Sequence, residues 1–196
     1  MNIEAVDAVA YSPEWTPRRG WHDDHRANDR TPVYLPALMQ VRSEFAAFVD
    51  VLRDHGLLGG RCLQLGLGEC DASHAAWGRL FKRVVTIDYR VTLDSFEGKH
   101  WMFAGRDTHD RTALDFAALR GPYDMLFVDA GHKLADVQQD DATFSPLVRP
   151  GGIVAFHDAC KRPGYEAEVD VWQHVSQMAL IGDEVGIAWM QVNREK

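Results

Sequence analysis

Two carboxylates in the second half of the chain stand where they could hold a cation or steer a proton. Asp129 closes an apolar run over 125–128, and Asp158 lies just past another over 152–156. If both runs are strands of a parallel sheet, these acids emerge at its carboxyl edge, where open α/β folds bind ligands. Paired carboxylates there suit a divalent cation, which can lower the pKa of a hydroxyl and orient it. His132, three residues beyond Asp129, adds an imidazole able to take up a proton near neutral pH. The competing reading of His132 is a ring that hydrogen-bonds its own loop, with Lys133 as the neighbouring base.

A second group of residues precedes them. Gly66-Leu67-Gly68-Glu69 follows an apolar run over 61–65 and leads into a helical pattern. Glycines at such a turn let the backbone bend tightly and approach a ligand with no Cβ in the way. About twenty residues on, a further apolar run ends at Asp88, where a carboxylate can accept hydrogen bonds from both hydroxyls of a ribose. A helix cap is the alternative for Asp88. An adenosine fits this pair, and position 71 separates two kinds of ligand. A dinucleotide needs bare backbone for its pyrophosphate, but the chain has Asp71. A sulfonium ligand carries positive charge and no phosphate, so it tolerates an acid there.

The elements that must position these groups alternate along the chain. Strands are expected over 61–65, 83–87, 101–104, 125–128 and 152–156, and helices over 72–80, 113–119 and 134–147. A helix over 168–178 and a last strand over 187–192 follow, the strand read as antiparallel. Continuous apolar strands alternating with helices indicate a parallel sheet covered on both faces. Before the first strand, Leu38, Val41, Phe45, Phe48, Val49 and Leu52 recur at helical spacing within 36–58, until Gly56, Gly59 and Gly60 stop the pattern. Residues 1–33, with Pro13, Pro17 and Pro32, read as a loop-rich arm. Trp77, Phe81, Phe116, Phe127 and Trp172 have core spacing, whereas Trp15, Trp21 and Tyr34 are candidates for the wall of a substrate site.

Composition narrows the partners. A chain of 196 residues fits one domain, and a formal charge of -8 argues against a nucleic-acid backbone as partner. The basic group Arg18, Arg19, Arg26 and Arg30 is broken by Asp23, Asp24 and Asp29 and reads as solvated. Cys62, Cys70 and Cys160 form no CxxC pair, which fits a reducing compartment. With no membrane-length apolar run and no signal pattern, a cytoplasmic protein acting on a small molecule is expected.

The stretches Phe127-Val128-Asp129-Ala130-Gly131-His132, Leu147-Val148-Arg149-Pro150-Gly151-Gly152 and Phe156-His157-Asp158, with the glycine turn and Asp88, resemble class I S-adenosylmethionine-dependent methyltransferases. The likeness spans about 36–192. It is strongest to the small-molecule branch of cephalosporin-biosynthesis and macrolide-sugar O-methyltransferases, with catechol-type enzymes more distant. The resemblance implies an α/β fold, a three-layer Rossmann-like sandwich with a mostly parallel seven-stranded sheet and an antiparallel last strand. It further implies an arm or lid over 1–33 and a methyltransferase domain over 34–196, moving a methyl group from S-adenosylmethionine to a small-molecule acceptor, most simply at oxygen. A metal-independent N-methyltransferase and a non-catalytic S-adenosylmethionine-binding protein are the alternatives.

For the site, the resemblance implies cofactor contacts at Gln64, Gly66, Gly68, Asp88, Asp107 and Asp129, with the Gly105-Arg106-Asp107 stretch beside the adenine. His132 falls where catechol-type enzymes place a basic catalytic residue. Asp129, His157 and Asp158 match their metal-binding positions, for Mg²⁺ or another divalent cation, and an imidazole in the set moves the preference toward Mn²⁺, Fe²⁺ or Zn²⁺. The chain departs from the pattern at Gln64, usually an acid, and at Cys70, near a third glycine. Relatives often assemble, so a homo-oligomer is a further expectation.

Overall fold

The apolar runs assemble into a single sheet whose strand order sets the position of everything at its edge. The computed structural model describes residues 3–10, 34–35, 38, 40–67, 72–89, 101–104, 107–164, 166 and 169–193. Helix α1 (Ile3–Ala10) comes first, then a short antiparallel hairpin of β1 (Tyr34–Leu35) and β2 (Gln40–Val41). Helix α2 (Arg42–Asp54), β3 (Arg61–Leu65), α3 (Ala72–Leu80), β4 (Arg83–Asp88), β5 (Trp101–Ala104) and α4 (Arg111–Ala118) follow. The second half comprises β6 (Tyr123–Val128), α5 (Leu134–Phe144) with a 3-10 turn, β7 (Val148–Phe156), α6 (Val171–His174), β8 (Ala179–Ile181) and β9 (Ile187–Gln191).

The large sheet has seven strands in the order β5-β4-β3-β6-β7-β9-β8. Strands β3 to β7 pair in parallel, and β9 runs antiparallel to both of its neighbours. The chain moves outward from β3 to β5, then returns to lay β6 on the other side of β3. That reversal makes the carboxyl ends of β3 and β6 the topological switch point, the usual ligand position in such sheets.

Each face of the sheet is covered by helices because nearly every strand residue is apolar. On one face Cys62, Met125, Phe127, Ile153 and Ala155 pack against Val6, Phe45, Phe48 and Trp77 from α1, α2 and α3. On the other, Leu63, Val85, Leu126, Val154 and Phe156 pack against Ala113, Val137, Phe144 and Val171 from α4, α5 and α6. This is the three-layer arrangement expected from the sequence. Trp77 sits at an aromatic junction, its ring centroid 4.9 Å from Phe45, 6.0 Å from Phe81 and 5.1 Å from Phe127.

Four local readings change. Residues 3–10 of the expected loop-rich arm form α1, whose Val6 and Val9 are buried; eight residues are too few to display a sustained period. Helix α2 begins only at Arg42, because Val41 is extended and pairs with Tyr34. The helix expected over 168–178 is one turn, α6. The edge strand β8 escaped notice because three residues carry no detectable alternation. Buried Glu44 of α2 fixes the β8–β9 connection by accepting from the backbone N–H of Glu184 at 3.1 Å and of Gly186 at 2.9 Å.

Replacing Trp77 by Ala should cost about 3–5 kcal/mol in urea denaturation, whereas Leu119→Ala, at a side chain 83% exposed, should stay within about 0.5 kcal/mol. Equal effects at the two positions would contradict this packing.

Candidate active site

Parallel pairing in register delivers the chemical groups to one level. Leu65 pairs with Ile87 on one side and with Val128 on the other, and Val128 pairs with Phe156. The residues that follow are Gly66, Asp88, Asp129 and His157. Backbone bonds carry the ladder one step past the strands, from Gly66 N–H to Ile87 at 2.8 Å, Asp129 N–H to Leu65 at 2.8 Å and His157 N–H to Val128 at 3.0 Å. Gly66 has φ +87°, and a Cβ there would collide with the carbonyl of Asp129 and lie 2.9 Å from the Ala130 Cα. Only glycine meets both conditions.

Four of the expected site residues converge beyond this edge. Asp129 Oδ1 lies 3.1 Å from His157 Nδ1 and 3.8 Å from His132 Nε2. Asp158 Oδ2 lies 3.0 Å from His132 Nε2 and 3.3 Å from His157 Nδ1. Donor atoms of Asp129, His132 and Asp158 all fall within 4.8 Å of one another, a spacing and chemistry that fit one divalent cation. The sequence expectation placed His157 in that set; here His157 is buried, aims Nδ1 at both acids, and leaves Nε2 without a partner among the described residues. Asp158 has φ +54°, a conformation Asp tolerates and one that concentrates at functional sites.

Opposite charges at this range reshape each other's protonation. Burial works against the Asp129 and Asp158 carboxylates, but the charge of His157 and hydrogen bonds from both imidazoles hold them below the ordinary range. The hydrogen bonds to Asp129 and Asp158 push His132 up to about 9. Burial opposes the charged form of His157, yet the same two carboxylates raise it to about 10. Arg162 also contacts Asp158 Oδ1 through its guanidinium.

The glycine side is held from below. Gln64 is fully buried and spends its amide within the protein, with Nε2 donating to Gly66 O and to Ser73 Oγ, both at 2.7 Å, and Oε1 accepting from Thr86 Oγ1 at 3.2 Å. Asp88 is also buried, and its Oδ2 accepts from Leu67 N–H at 2.7 Å, so it orders the turn that follows β3. Asp107 lies in the loop after β5 with a side chain 70% exposed, accepting from His109 N–H at 2.9 Å. Gly68, Cys70, Asp71, Gly105, Arg106, Trp15, Trp21 and the basic and acidic groups of 18–30 lie outside the described residues.

Residues 44–159 match the protein family described as a methyltransferase domain, more than half of the chain. The chain belongs to the methyltransferase-domain family. No curated protein matches the sequence. Among solved structures, it is similar to the MycE methyltransferase of the mycinamycin biosynthetic pathway in complex with Mg, SAH and mycinamycin VI. That likeness has TM-score 0.61 and 17% identity, covering 99% of this chain and 55% of that one. Another MycE structure, with Mg and SAH, gives TM-score 0.57 and 22% identity over 76% of this chain and 50% of that chain. CalS11, a TDP-rhamnose 3′-O-methyltransferase of calicheamicin biosynthesis, gives TM-score 0.53 and 14% identity, covering 97% of this chain and 92% of that one. At these identities the likeness is one of fold. The chain spans about half the length of the MycE enzyme.

Two residues at the site were not anticipated. Gln40 of β2 donates from Nε2 to Asp129 Oδ2 at 3.2 Å, and Arg162 reaches Asp158 from four residues along. A two-residue strand has no period to read, and an i,i+4 Arg–Asp pair is common on surfaces.

Gly66→Ala should abolish cooperative unfolding, or lower its midpoint sharply, as followed by circular dichroism. The raised pKa values also have a sign. The stability from the His132 and His157 pairs is fully present below the unfolded imidazole value near 6.5 and lost as pH rises through about 9 to 10. The urea midpoint should therefore fall across that window and fall less in His132→Gln. A midpoint that rises there would show that these pairs do not form.

Proposed function

We propose that the chain transfers a methyl group from S-adenosylmethionine to an oxygen of a small-molecule acceptor, assisted by a divalent cation. The observation that supports this most is the convergence of Asp129, His132 and Asp158 immediately beside the glycine turn. Asp88, at the end of β4 and facing that turn, is the candidate for the ribose hydroxyls. Gly66 keeps the cofactor loop and the acidic group at one level, which favours alignment of donor and acceptor. The mycinamycin VI bound in the MycE structure and the TDP-rhamnose named for CalS11 make a sugar hydroxyl a reasonable first acceptor to try.

Asp129 and Asp158 are the carboxylates that would hold the cation. When bound, it would lower the pKa of an acceptor hydroxyl and fix the oxygen behind the methyl group. Gln40 occupies Asp129 Oδ2 and so directs Oδ1 toward the imidazoles. His132, the more exposed imidazole, is held protonated by the two carboxylates as they stand, and it would be freed to take the acceptor's proton at Nε2 only when a bound cation offsets their charge. The same atom could instead serve as a third donor to the cation, as could His157 Nδ1, the ligand that the resemblance implies. Calorimetric Mn²⁺ titration of His132→Gln and His157→Gln separates these roles, since the variant that loses cation affinity identifies the ligand.

One observation favours a second reading, metal-independent transfer to nitrogen or another centre. His132, His157 and Arg162 together offer three cationic groups to two acids. A methyl-transfer assay with labelled S-adenosylmethionine and a panel of hydroxylated acceptors, run with and without EDTA, distinguishes the two. Turnover lost with EDTA and restored by Mg²⁺ or Mn²⁺ is expected. Turnover that persists supports the second reading, and no turnover with retained S-adenosylmethionine binding supports a non-catalytic protein. In His132→Gln, turnover should fall roughly 10²- to 10⁴-fold while S-adenosylmethionine affinity holds.

A further inference from the structure

Outside the acidic cluster, one buried carboxylate among the described residues is left unsatisfied by the fold. Asp140 of α5 is fully buried, and neither of its carboxylate oxygens has a hydrogen-bond partner among the described residues. Such groups are rare in folded proteins and call for an explanation. The nearest cationic candidate is His109, whose Nε2 lies 3.6 Å from Asp140 Oδ1. His109 belongs to the loop between β5 and α4, and its other ring nitrogen lies 3.8 Å from Asp107 Oδ1. One imidazole thus spans from a helix to a loop.

The location of that loop gives the contact a consequence. Ala104, the last residue of β5, pairs with Asp88, so the loop that follows emerges at the carboxyl edge beside the residue assigned to the ribose. Helix α5, which carries Asp140, starts directly after His132 and Lys133. We propose that Asp140 is a positioning residue: its buried carboxylate draws His109 inward and so sets the placement of the 107–110 loop as the cofactor-side wall of the site. This rests on the reading of the sheet's carboxyl edge at β3 and β4 as the S-adenosylmethionine site.

The groups that face Asp140 fix the expected pH dependence. Burial raises its carboxyl to about 6, the Thr108 hydroxyl and His109 oppose that rise, and Asp136 on its own helix and Asp107 add to it. An acid raised in the folded state favours folding below its unfolded pKa, and that contribution is lost as pH rises through about 6. The ionised form therefore costs stability while attracting His109. A residue kept only for packing would not show that opposition.

The test compares wild type with Asp140→Asn, His109→Gln and His109→Leu, using SAH as the calorimetric probe between pH 5 and 8. Wild-type affinity should weaken as pH falls through about 6. Asp140→Asn should bind SAH roughly fivefold to tenfold more weakly at pH 7.5, with that pH dependence gone. Its urea midpoint at that pH should be equal to or above wild type. His109→Gln, which keeps a donor, should retain affinity that His109→Leu loses. Amide exchange in the unliganded protein gives a readout free of the cofactor, and Thr108–Asp110 should exchange faster in Asp140→Asn. Unchanged SAH affinity and unchanged exchange in Asp140→Asn, or a lower urea midpoint with affinity intact, overturns the inference. Wild type that binds no SAH would instead remove the methyltransferase reading, leaving the exchange result to decide whether Asp140 places the loop.

Discussion

The contact between Gly66 and the backbone of Asp129 is the constraint on which the site depends. It lies where the strand order reverses between β3 and β6. Because residue 66 has no side chain, the turn after β3 can press against the start of the turn after β6. The turn after β3 and the first acid of the cluster are therefore joined through backbone, with no flexible side chain between them. Any residue with a Cβ would push the two turns apart and move Asp129 away from the end of β3.

The acidic cluster solves a different problem, that of keeping two carboxylates close together and away from water. Mutual repulsion and desolvation would raise their pKa values, and both are overcome by His132 and His157 lying between them. Gln40 and Arg162 use the outward oxygens, so the inward ones point at the imidazoles. The positive φ of Asp158 is part of the same arrangement, since it turns the chain directly after β7 and keeps the second acid at the level of the first.

Beneath the glycine turn the same logic operates with neutral groups. At Gln64, where related sequences were expected to carry an acid, the side chain must donate to the carbonyl of Gly66 and accept from Thr86. A carboxylate would repel that carbonyl, whereas an amide satisfies both neighbours. The departure from the family pattern is thus matched by its surroundings, and the link from Thr86 to His74 Nδ1 at 2.7 Å ties α3 into it.

The sequence by itself determined the strands and most of the helices, because continuous apolar runs and helical periodicity are local properties that burial on both sheet faces demands. It also singled out Gly66, Asp88, Asp129, His132 and Asp158, since strand ends in a parallel sheet can be read from where each apolar run stops, whereas His157 came only from the family resemblance. It did not reveal α1, β1, β2 or β8, which are too short to show a period. Tertiary structure alone decided how the four groups of the acidic cluster meet, with both His132 and His157 lying within 4 Å of the carboxylates of Asp129 and Asp158. It also decided that Gln40 holds Asp129 from 89 residues away and that Asp140 is buried opposite His109. These depend on strand register and on which loops adjoin at the sheet edge, and contacts between distant segments leave no trace in local spacing.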